Sequence, residues 1–420
     1  MNFYKIYAPL LLIGIVSSAL ASELFWGEAN WNESNWQSSG NSDYLDTDND
    51  RQFNIFDIDD DGDEVLDSED AFPLDVTESV DTDGDGIGNN ADNDDDDDGI
   101  LDVADMYPLD PTRSGDMTFT VQNDTNGDGN ADILWRNADD GRNWLWTMNG
   151  RSIVRSAGIN VIADQAWQIV GRGDFDGDGK SDILWRNSNT GRNYIYLMDG
   201  FSIKQQGQLN YVVDSNWRVK QVADFDGDGK DDIFWRHGVR GDTWMYLMDG
   251  MSVKVSQANL RVADLNWEIV ASGDVNGDDK ADVVWRHKTS GDNYIWLMNG
   301  TTIANRYVLN RVASSDWTIA GAGDLNGDGT DDIIWRNQND GRNWAYFMNG
   351  GQIQSSSLIN TVSNLNWQIA DISDLDGDGD VDLFWRQGQT AQSYIYLMDG
   401  FSIGSSGYST TVNPNWKVQN

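Results

Sequence analysis

The hydrophobic pattern of the chain recurs every 50 residues from residue 117 onward. Each copy holds short apolar runs that are separated by turns rich in Gly, Asp and Asn. In one copy these runs predict four β-strands, at residues 167–170, 183–186, 193–198 and 201–208. The repeated region is therefore predicted to be all-β.

The third predicted strand of each copy indicates that both faces of its sheet are buried. Along this strand an aromatic face alternates with a mainly aliphatic one, the first made of Tyr194, Tyr196 and Met198 and the second of Asn193, Ile195 and Leu197. The Asp199-Gly200 pair that follows is a hairpin-turn signal. It returns as Asn or Asp before Gly150, Gly250, Gly300, Gly350 and Gly400.

A tryptophan followed by arginine marks the second strand of every copy. The six tryptophans are Trp135, Trp185, Trp235, Trp285, Trp335 and Trp385. A strand-patterned repeat of about 40 to 50 residues is typical of propeller blades, with one small sheet per repeat. We therefore expect a β-propeller of six four-stranded blades. Residues 117–123 and 416–419 both resemble a first strand, so a seventh blade or a capping strand remains an alternative to simple closure of six.

An acidic frame, D-x-[DN]-x-D-[GD]-x-x-D, lies between the first and second strands of each copy. Side-chain oxygens at positions one, three, five and nine, with the backbone carbonyl at position seven, suit the all-oxygen coordination of Ca²⁺. The predicted ligands are Asp124, Asn126, Asp128, Asn130 and Asp132; Asp174, Asp176, Asp178, Lys180 and Asp182; Asp224, Asp226, Asp228, Lys230 and Asp232; Asp274, Asn276, Asp278, Lys280 and Asp282; Asp324, Asn326, Asp328, Thr330 and Asp332; and Asp374, Asp376, Asp378, Asp380 and Asp382. Asp279 replaces a glycine in the fourth copy, which makes that geometry the least regular. Asp-Gly turns without metal are the alternative.

These loops resemble the FG-GAP repeats of integrin α-subunit propellers and, more closely, the VCBS-type repeats of bacterial secreted proteins. The resemblance covers residues 117–420 and implies a propeller fold with bound calcium. It does not imply one function, since a single fold serves many.

The net charge of the chain is −42, and residues 43–116 carry most of the excess negative charge. Because like charges repel, such a segment cannot collapse without cations. Its acids follow the frame D-x-D-x-D-G-x-x-[DN]-x-x-D. Two copies give Asp81, Asp83, Asp85, Asn89 and Asp92, and Asp94, Asp96, Asp98, Asp102 and Asp105. Frames at residues 46–57 and 59–70 lack the glycine, having Arg51 and Glu64 in its place. The segment resembles thrombospondin type 3 repeats without their cysteines; a solvated acidic linker is the alternative.

The first 21 residues have the pattern of a signal peptide, with Lys5, an apolar run and the Ala19-Leu20-Ala21 cleavage motif. The apolar run is shorter than the roughly 20 residues of a membrane-spanning helix. We therefore expect a secreted or periplasmic protein whose residues 22–42 form a linker.

The chain has no cysteine, which excludes disulfides and thiolate metal sites.

The remaining residues suggest no catalytic site. The Trp-Arg pairs could stack on sugar rings, but packing between blades is the stronger interpretation. A second set, Trp167, Trp217, Trp267, Trp317, Trp367 and Trp416, is interpreted in the same way. His237 and His287 occupy turn positions that hold Asn or Gln elsewhere. No nucleophile-base or transition-metal constellation is present, so we expect no enzyme activity.

The sequence thus predicts a secreted calcium-binding module for adhesion or ligand binding, in which calcium is structural. Its partner is expected to be an extracellular protein or a glycan and not a nucleic acid, given the charge. We expect a monomer. A propeller lectin is the alternative, and a purely structural part of a surface assembly is the third candidate.

Overall fold

The computed structural model describes residues 45–63, 65–97, 109, 111 and 121–419. The chain divides into two compact units, with the boundary after Met117. The predicted signal peptide and linker, residues 1–42, lie outside the described residues. In the described residues no helix has the length and hydropathy that a membrane-spanning segment needs.

The described part of the first unit consists of turns and bends with one 3-10 helix, Asn54–Phe56. Its turns are closed by aspartates that accept hydrogen bonds from backbone N–H groups two or three residues ahead. The Asp81 carboxylate accepts from Gly84, at 2.9 Å, and the Asp83 carboxylate from Asp85, at 3.0 Å. Local Asx turns of this kind replace helices and strands as the source of order.

The second unit is a six-bladed propeller with four antiparallel strands in each blade. Its strands are β1 (Ile133–Asn137), β2 (Arg142–Asn149), β3 (Ser152–Val161), β4 (Trp167–Gly173), β5 (Asp182–Asn187), β6 (Arg192–Asp199), β7 (Ser202–Tyr211), β8 (Trp217–Ala223), β9 (Asp232–His237), β10 (Thr243–Asp249), β11 (Ser252–Ala258), β12 (Trp267–Gly273), β13 (Asp282–His287), β14 (Asn293–Asn299), β15 (Thr302–Leu309), β16 (Trp317–Gly323), β17 (Asp332–Asn337), β18 (Arg342–Asn349), β19 (Gln352–Thr361), β20 (Trp367–Ser373), β21 (Asp382–Gln387), β22 (Ser393–Asp399), β23 (Ser402–Tyr408) and β24 (Trp416–Gln419). Blade 1 is β24-β1-β2-β3, and blades 2 to 6 follow in chain order from β4 to β23.

The last strand of the chain closes the ring. β24 pairs with β1, with Val418 opposite Trp135, so it takes the place of a first strand in blade 1. Residues 121–123 are not in a strand, and residues 117–120 lie outside the described ones. Asn123 has a φ of 74°, and the chain turns there into the first acidic loop. The choice between the two first-strand copies is therefore settled in favour of 416–419 and six blades.

The first strand of a blade is longer than the sequence indicated. β4 pairs with β5 in one register up to Ile169 and in a shifted register from Gly171. This bulge lets the strand continue to Gly173, past the residue 170 at which alternation breaks. The turn signal at Asp199-Gly200 is confirmed, since Asp199 pairs with Ser202 across a two-residue hairpin.

The core is divided among the junctions between blades. Six buried clusters are found in residues 121–419, each shared by two neighbouring blades. Between blades 3 and 4, for example, Phe225 and Phe234 pack with Trp285 and Trp296. The prediction that both faces of each sheet are buried is confirmed, because every blade stands between two such clusters.

Candidate metal loops and blade junctions

In blades 2 to 6 the acidic loop links the first two strands, and in blade 1 it precedes β1. Each loop is held by the carboxylate at position one. In blade 2, Asp174 Oδ1 accepts the Gly177 N–H at 2.7 Å, and Oδ2 accepts the Gly179 N–H at 2.7 Å. Both glycines have positive φ, 74° and 76°, which residues with a side chain rarely adopt. The spacing of the frame therefore folds the loop around its first aspartate.

Three of the predicted ligand positions converge. One carboxylate oxygen from each of Asp174, Asp176 and Asp182 lies within 4.8 Å of the others, and the same holds for Asp224, Asp226 and Asp232. The position-three aspartates contribute an oxygen that has no hydrogen-bond donor. These buried Oδ1 atoms belong to Asp176, Asp226 and Asp376. Positions one, three and nine thus form the inner acid group of the loop.

Positions five and seven have other partners in blade 2. Asp178 Oδ2 accepts from the Lys204 ammonium at 2.6 Å, and the Lys180 side chain bonds to Asp199 at 2.8 Å. The side chain at position seven thus points away from the acid group, so a contribution to a metal would have to come from its backbone carbonyl. This agrees with the variety of residues found there.

Burial raises the pKa of the position-nine aspartates. The pKa reaches about 8 for Asp182, Asp232, Asp282, Asp332 and Asp382 and about 7 for Asp132. Desolvation is the largest cause, and it outweighs the N–H groups that these carboxylates accept. In blade 2 these donors are Met198 and Phe175, at 2.8 and 3.0 Å. A cation beside these groups would favour their charged form.

Two lysines that no sequence motif indicated lie beside the loops. Lys204 Nζ is 3.1 Å from Asp176 and 2.6 Å from Asp178, and Lys254 Nζ is 2.6 Å from Asp228. Both come from the fourth strand of the blade, 26 residues after position five. The equivalent residues elsewhere are Val154, Ala304, Gln354 and Gly404. No local motif links these lysines to the loop, because the hairpin brings them there.

The irregular loop of blade 4 keeps the common geometry. Asp279 has a φ of 61°, and its N–H donates to Asp274 Oδ2 at 2.7 Å. Gly179 makes the equivalent bond in blade 2. The aspartate therefore adopts the left-handed conformation that glycine has elsewhere, at some cost in strain.

The first unit also brings acids together. Carboxylate oxygens within 4.8 Å of one another occur in Asp81, Asp83 and Asp85, and in the two frames without glycine, Asp46-Asp48-Asp50 and Asp59-Asp61-Asp63. Asn89 Oδ1 accepts the Thr82 N–H at 3.0 Å. In the second predicted frame, Asp94 and Asp96 are described, whereas Asp98, Asp102 and Asp105 lie outside the described residues.

Backbone hydrogen bonds join the six propeller loops into a ring. The N–H at position eight of each loop donates to the carbonyl at position one of the loop in the preceding blade. The pairs are Ser181 to Asp124, Asp231 to Asp174, Ala281 to Asp224, Asp331 to Asp274, Val381 to Asp324 and Ala131 to Asp374. A displacement of one loop would therefore disturb its neighbours.

The FG-GAP-like repeat model matches this region in four overlapping copies, at residues 174–235, 224–285, 274–335 and 324–385. Together they cover half of the chain. The chain belongs to the FG-GAP-like repeat family. Propellers of this family are typically ligand-binding or structural modules.

Similar solved structures share little sequence with this FG-GAP-like chain. A chain of a nidogen/laminin complex is 12% identical, with 68% of this chain and 96% of that one covered and a TM-score of 0.46. A Photorhabdus luminescens Tc holotoxin pore is 16% identical, with 71% and 14% covered and a TM-score of 0.45. Virginiamycin B lyase from Staphylococcus aureus is 6% identical, with 70% and 86% covered and a TM-score of 0.41. No curated protein matches the sequence.

The Trp-Arg pairs of the FG-GAP-like repeats form the junctions between blades. Each guanidinium lies over the tryptophan ring of the next blade, 4.8 to 5.1 Å from its centroid, and Arg386 over Trp135 closes the circle. Arg136 also donates to the Ile162 and Trp167 carbonyls, at 3.0 and 3.1 Å. These contacts support the packing interpretation.

The two histidines act as turn residues. His237 Nδ1 accepts the N–H groups of Val239 and Arg240, at 3.2 and 3.0 Å. Asn187 Oδ1 makes the same pair of bonds in blade 2, to Asn189 and Thr190. The expectation that histidine and asparagine are interchangeable here is confirmed by these contacts.

Proposed function

We propose that this FG-GAP-like chain is a secreted, calcium-stabilised ligand-binding module in which calcium is structural and no catalysis takes place. The observation that carries the proposal is the acid group at positions one, three and nine. Its three carboxylates lie within 4.8 Å of one another, and each additional negative charge raises the cost of ionising the others.

The donor set suits a hard divalent cation. Its atoms are carboxylate, amide and carbonyl oxygens, which Ca²⁺ prefers and which Mg²⁺ accepts only in stricter geometry. The buried Oδ1 atoms of Asp176, Asp226 and Asp376 lack a hydrogen-bond donor. Buried oxygens without a partner are costly, and a bound cation would satisfy them.

The role of the ion would be to hold the blades together. Binding to the folded state alone stabilises a protein by mass action, by about 2.7 kcal/mol per site at 100 times Kd. The ring of loop-to-loop hydrogen bonds would pass that stabilisation from one blade to the next. The acid groups of the first unit, such as Asp81, Asp83 and Asp85, would be ordered in the same way.

Direct calcium titration tests the proposal. We expect isothermal titration of the chelator-treated chain to give several sites for Ca²⁺ and a weaker response to Mg²⁺. The variant Asp182→Asn should reduce the stoichiometry by about one site, because position nine is an aspartate in all six loops, whereas three loops already have Asn at position three. The matched variant Asp164→Asn, in an exposed linker, should leave it unchanged. Absence of calcium binding, or equal loss in both variants, would contradict the proposal.

The external partner is proposed to be an extracellular protein, which would make the chain an adhesion module. This part rests on the typical use of FG-GAP-like propellers as binding modules and on the export signal expected from the sequence. Pull-down from surface extracts, with calcium and with chelator, would test it. We expect one partner to be captured in calcium and not in chelator. Capture that is the same with calcium, with chelator and with the unfolded chain would contradict the proposal.

Glycan binding is the second candidate, and an aromatic cavity favours it. Trp317, Trp335, Trp344 and Tyr346 line a cavity of about 120 Å³ with Val312, and the Trp335 indole N–H has no acceptor. Aromatic faces and a spare donor suit a sugar ring. A glycan array with the chain and its Trp344→Ala variant tests glycan binding. Selective binding that this substitution abolishes without unfolding the chain would favour a lectin. An array without signal would eliminate the lectin candidate.

A further inference from the structure

The junction between blades 6 and 1 differs from the other five junctions by one residue. Successive first-strand tryptophans from Trp167 to Trp367 are 50 residues apart, whereas Trp416 follows Trp367 by 49. The missing residue lies between Val412 and the turn residue Asn413. The counterpart of this segment between blades 2 and 3 is Val212-Val213-Asp214. The linker that leads into the closing strand β24 is therefore one residue shorter than the other linkers between blades.

The shorter linker changes the contacts of the junction arginine. In the other five blades the arginine donates to the carbonyl of the tryptophan that begins the next blade, as Arg286 does to Trp317 at 3.0 Å and Arg336 to Trp367 at 2.8 Å. Arg386 bonds instead to Ala391 O, Ser393 Oγ and Val412 O. No bond from Arg386 to Trp416 O is found, so the N–H that the other five arginines donate to this carbonyl has no acceptor among the described residues.

A cavity opens at this point. It has a volume of about 260 Å³, and its lining includes Arg386, Lys417, Gln387, Trp416 and Pro414. The five other junction arginines are buried, with at most 7% of their surface exposed, whereas Arg386 is half-buried. The Arg386 guanidinium, next to the shorter linker, is thus more exposed than its five counterparts.

The described residues of the lining carry two positive charges and no carboxylate, in a chain whose net charge is −42. Among the described residues no acid forms an ion pair with Arg386 or Lys417. The lysines beside two of the acidic loops, Lys204 and Lys254, each have carboxylate partners instead. An uncompensated pair of cations at a cavity wall attracts an anion.

We propose that the seam cavity, lined by Arg386, Lys417 and Trp416, binds a small organic anion through its carboxylate. The spare guanidinium donor and the Lys417 ammonium would hold the carboxylate. The Trp416 ring, Pro414 and Ala370 give the apolar walls for the remainder of the ligand. The volume is just below the range of about 300 to 1,000 Å³ for drug-sized ligands, which limits the occupant to the size of one sugar or a similar acid.

This inference rests on the proposed role of the propeller as a ligand-binding module, but it does not depend on calcium in the loops. The calcium proposal and the anion proposal can therefore fail separately. Calcium titration of the same samples reports on the loops, whereas anion binding reports on the seam.

The test uses glucuronate as the probe, with glucose as its neutral counterpart and sulfate as an anion without a ring. Isothermal titration of the full chain at fixed ionic strength and fixed calcium should show binding of glucuronate and none of glucose. Sulfate should bind more weakly than glucuronate, because it makes no contact with the apolar walls. No glucuronate binding, equal binding of glucose, or binding of sulfate alone would each overturn the proposal.

Two variants locate the site. Lys417→Met should weaken glucuronate binding by about tenfold or more, as expected for loss of a charge-assisted hydrogen bond. Arg218→Met, at the equivalent position after Trp217, should have no effect. Insertion of one alanine between Val412 and Asn413 restores the 50-residue spacing and should abolish binding while the thermal midpoint is kept or raised. Unchanged affinity in both the Lys417 and the insertion variants would overturn the assignment.

Discussion

At the scale of single residues, the acid loops show which groups of the chain itself compensate the buried negative charge. The position-one carboxylates accept several backbone N–H groups, and those at position nine accept two in blade 2. The position-three carboxylates have fewer partners, and in blades 2 and 3 a lysine approaches them. Lys204 and Lys254 therefore act as tethered counter-ions.

Replacing Lys204 should separate charge compensation by a lysine side chain from compensation by backbone N–H groups. In Lys204→Met the ammonium is lost while the apolar stem remains, so Asp176 and Asp178 face each other without a counter-charge. We expect a lower thermal midpoint without calcium and a larger rise on adding calcium. Lys288→Met, which breaks a surface pair with Glu268, is the control. An identical calcium response in both variants would contradict the tethered role of Lys204.

The raised pKa values predict how stability depends on pH. Asp182, Asp232, Asp332 and Asp382 have folded-state pKa values of about 8, above the value of about 3.9 for an unfolded chain. Between these values the folded state binds more protons than the unfolded state. Stability without calcium should therefore fall as pH rises from about 4 to 8.

Calcium should reverse or flatten that slope, because it competes with the bound protons and binds better as pH rises. Thermal midpoints between pH 5 and 8, with chelator and with calcium, measure both effects. A chelator-treated chain that becomes more stable with rising pH would contradict the account of these aspartates.

At the scale of elements, the contact between neighbouring blades depends on one arginine. Arg286 lies 4.9 Å above the Trp335 ring and donates to Asn293 Oδ1, Val312 O and Trp317 O. It thus connects the second and third strands of its own blade with the linker and the first strand of the next. Hydrophobic packing alone would leave those carbonyls unpaired.

The variant Arg286→Ala should cost about 2 to 4 kcal/mol of unfolding free energy, since it leaves several buried carbonyls without a donor and opens a cavity. Arg342→Ala removes an exposed arginine that pairs with Asp340 and should cost less than about 0.5 kcal/mol. Urea unfolding followed by tryptophan fluorescence compares the two variants. Equal losses would show that the junction arginine is no more important than a surface pair.

The strands and hairpins could be predicted from the sequence because their signals are local. Alternation at Tyr194 and Tyr196 and the Asp199-Gly200 turn each lie within one short segment. The extension of β4 to Gly173 could not be predicted, because a bulge interrupts alternation at residue 170. The acid groups were predictable from their spacing, whereas Lys204 was not, since only the folded sheet brings it to Asp178.

At the scale of the whole molecule, the propeller is closed by a strand of four residues. β24 covers one edge of β1, and Trp416 and Val418 pack against the cluster that contains Trp135 and Phe384. The sequence left two candidates for this strand because both have the same alternation. Only pairing in three dimensions distinguishes them, and the same is true of the seam cavity.

Removing the closing strand should open the ring. Deletion of residues 416–420 exposes the edge of β1 and part of one junction core, so we expect a lower thermal midpoint and concentration-dependent aggregation. Deletion of Asn420 alone is the control. Light scattering and thermal unfolding measure the result, and a truncated chain that remains monomeric and equally stable would contradict closure by β24.

The most direct test of the whole account is thermal unfolding of the chain with millimolar calcium, with the same concentration of magnesium and with chelator. Tryptophan fluorescence reports on the blades, because one tryptophan lies buried at every junction. We expect a large rise in the thermal midpoint with calcium and no such rise with magnesium. An unchanged midpoint would mean that the acid frames are turns of a propeller that folds without ions.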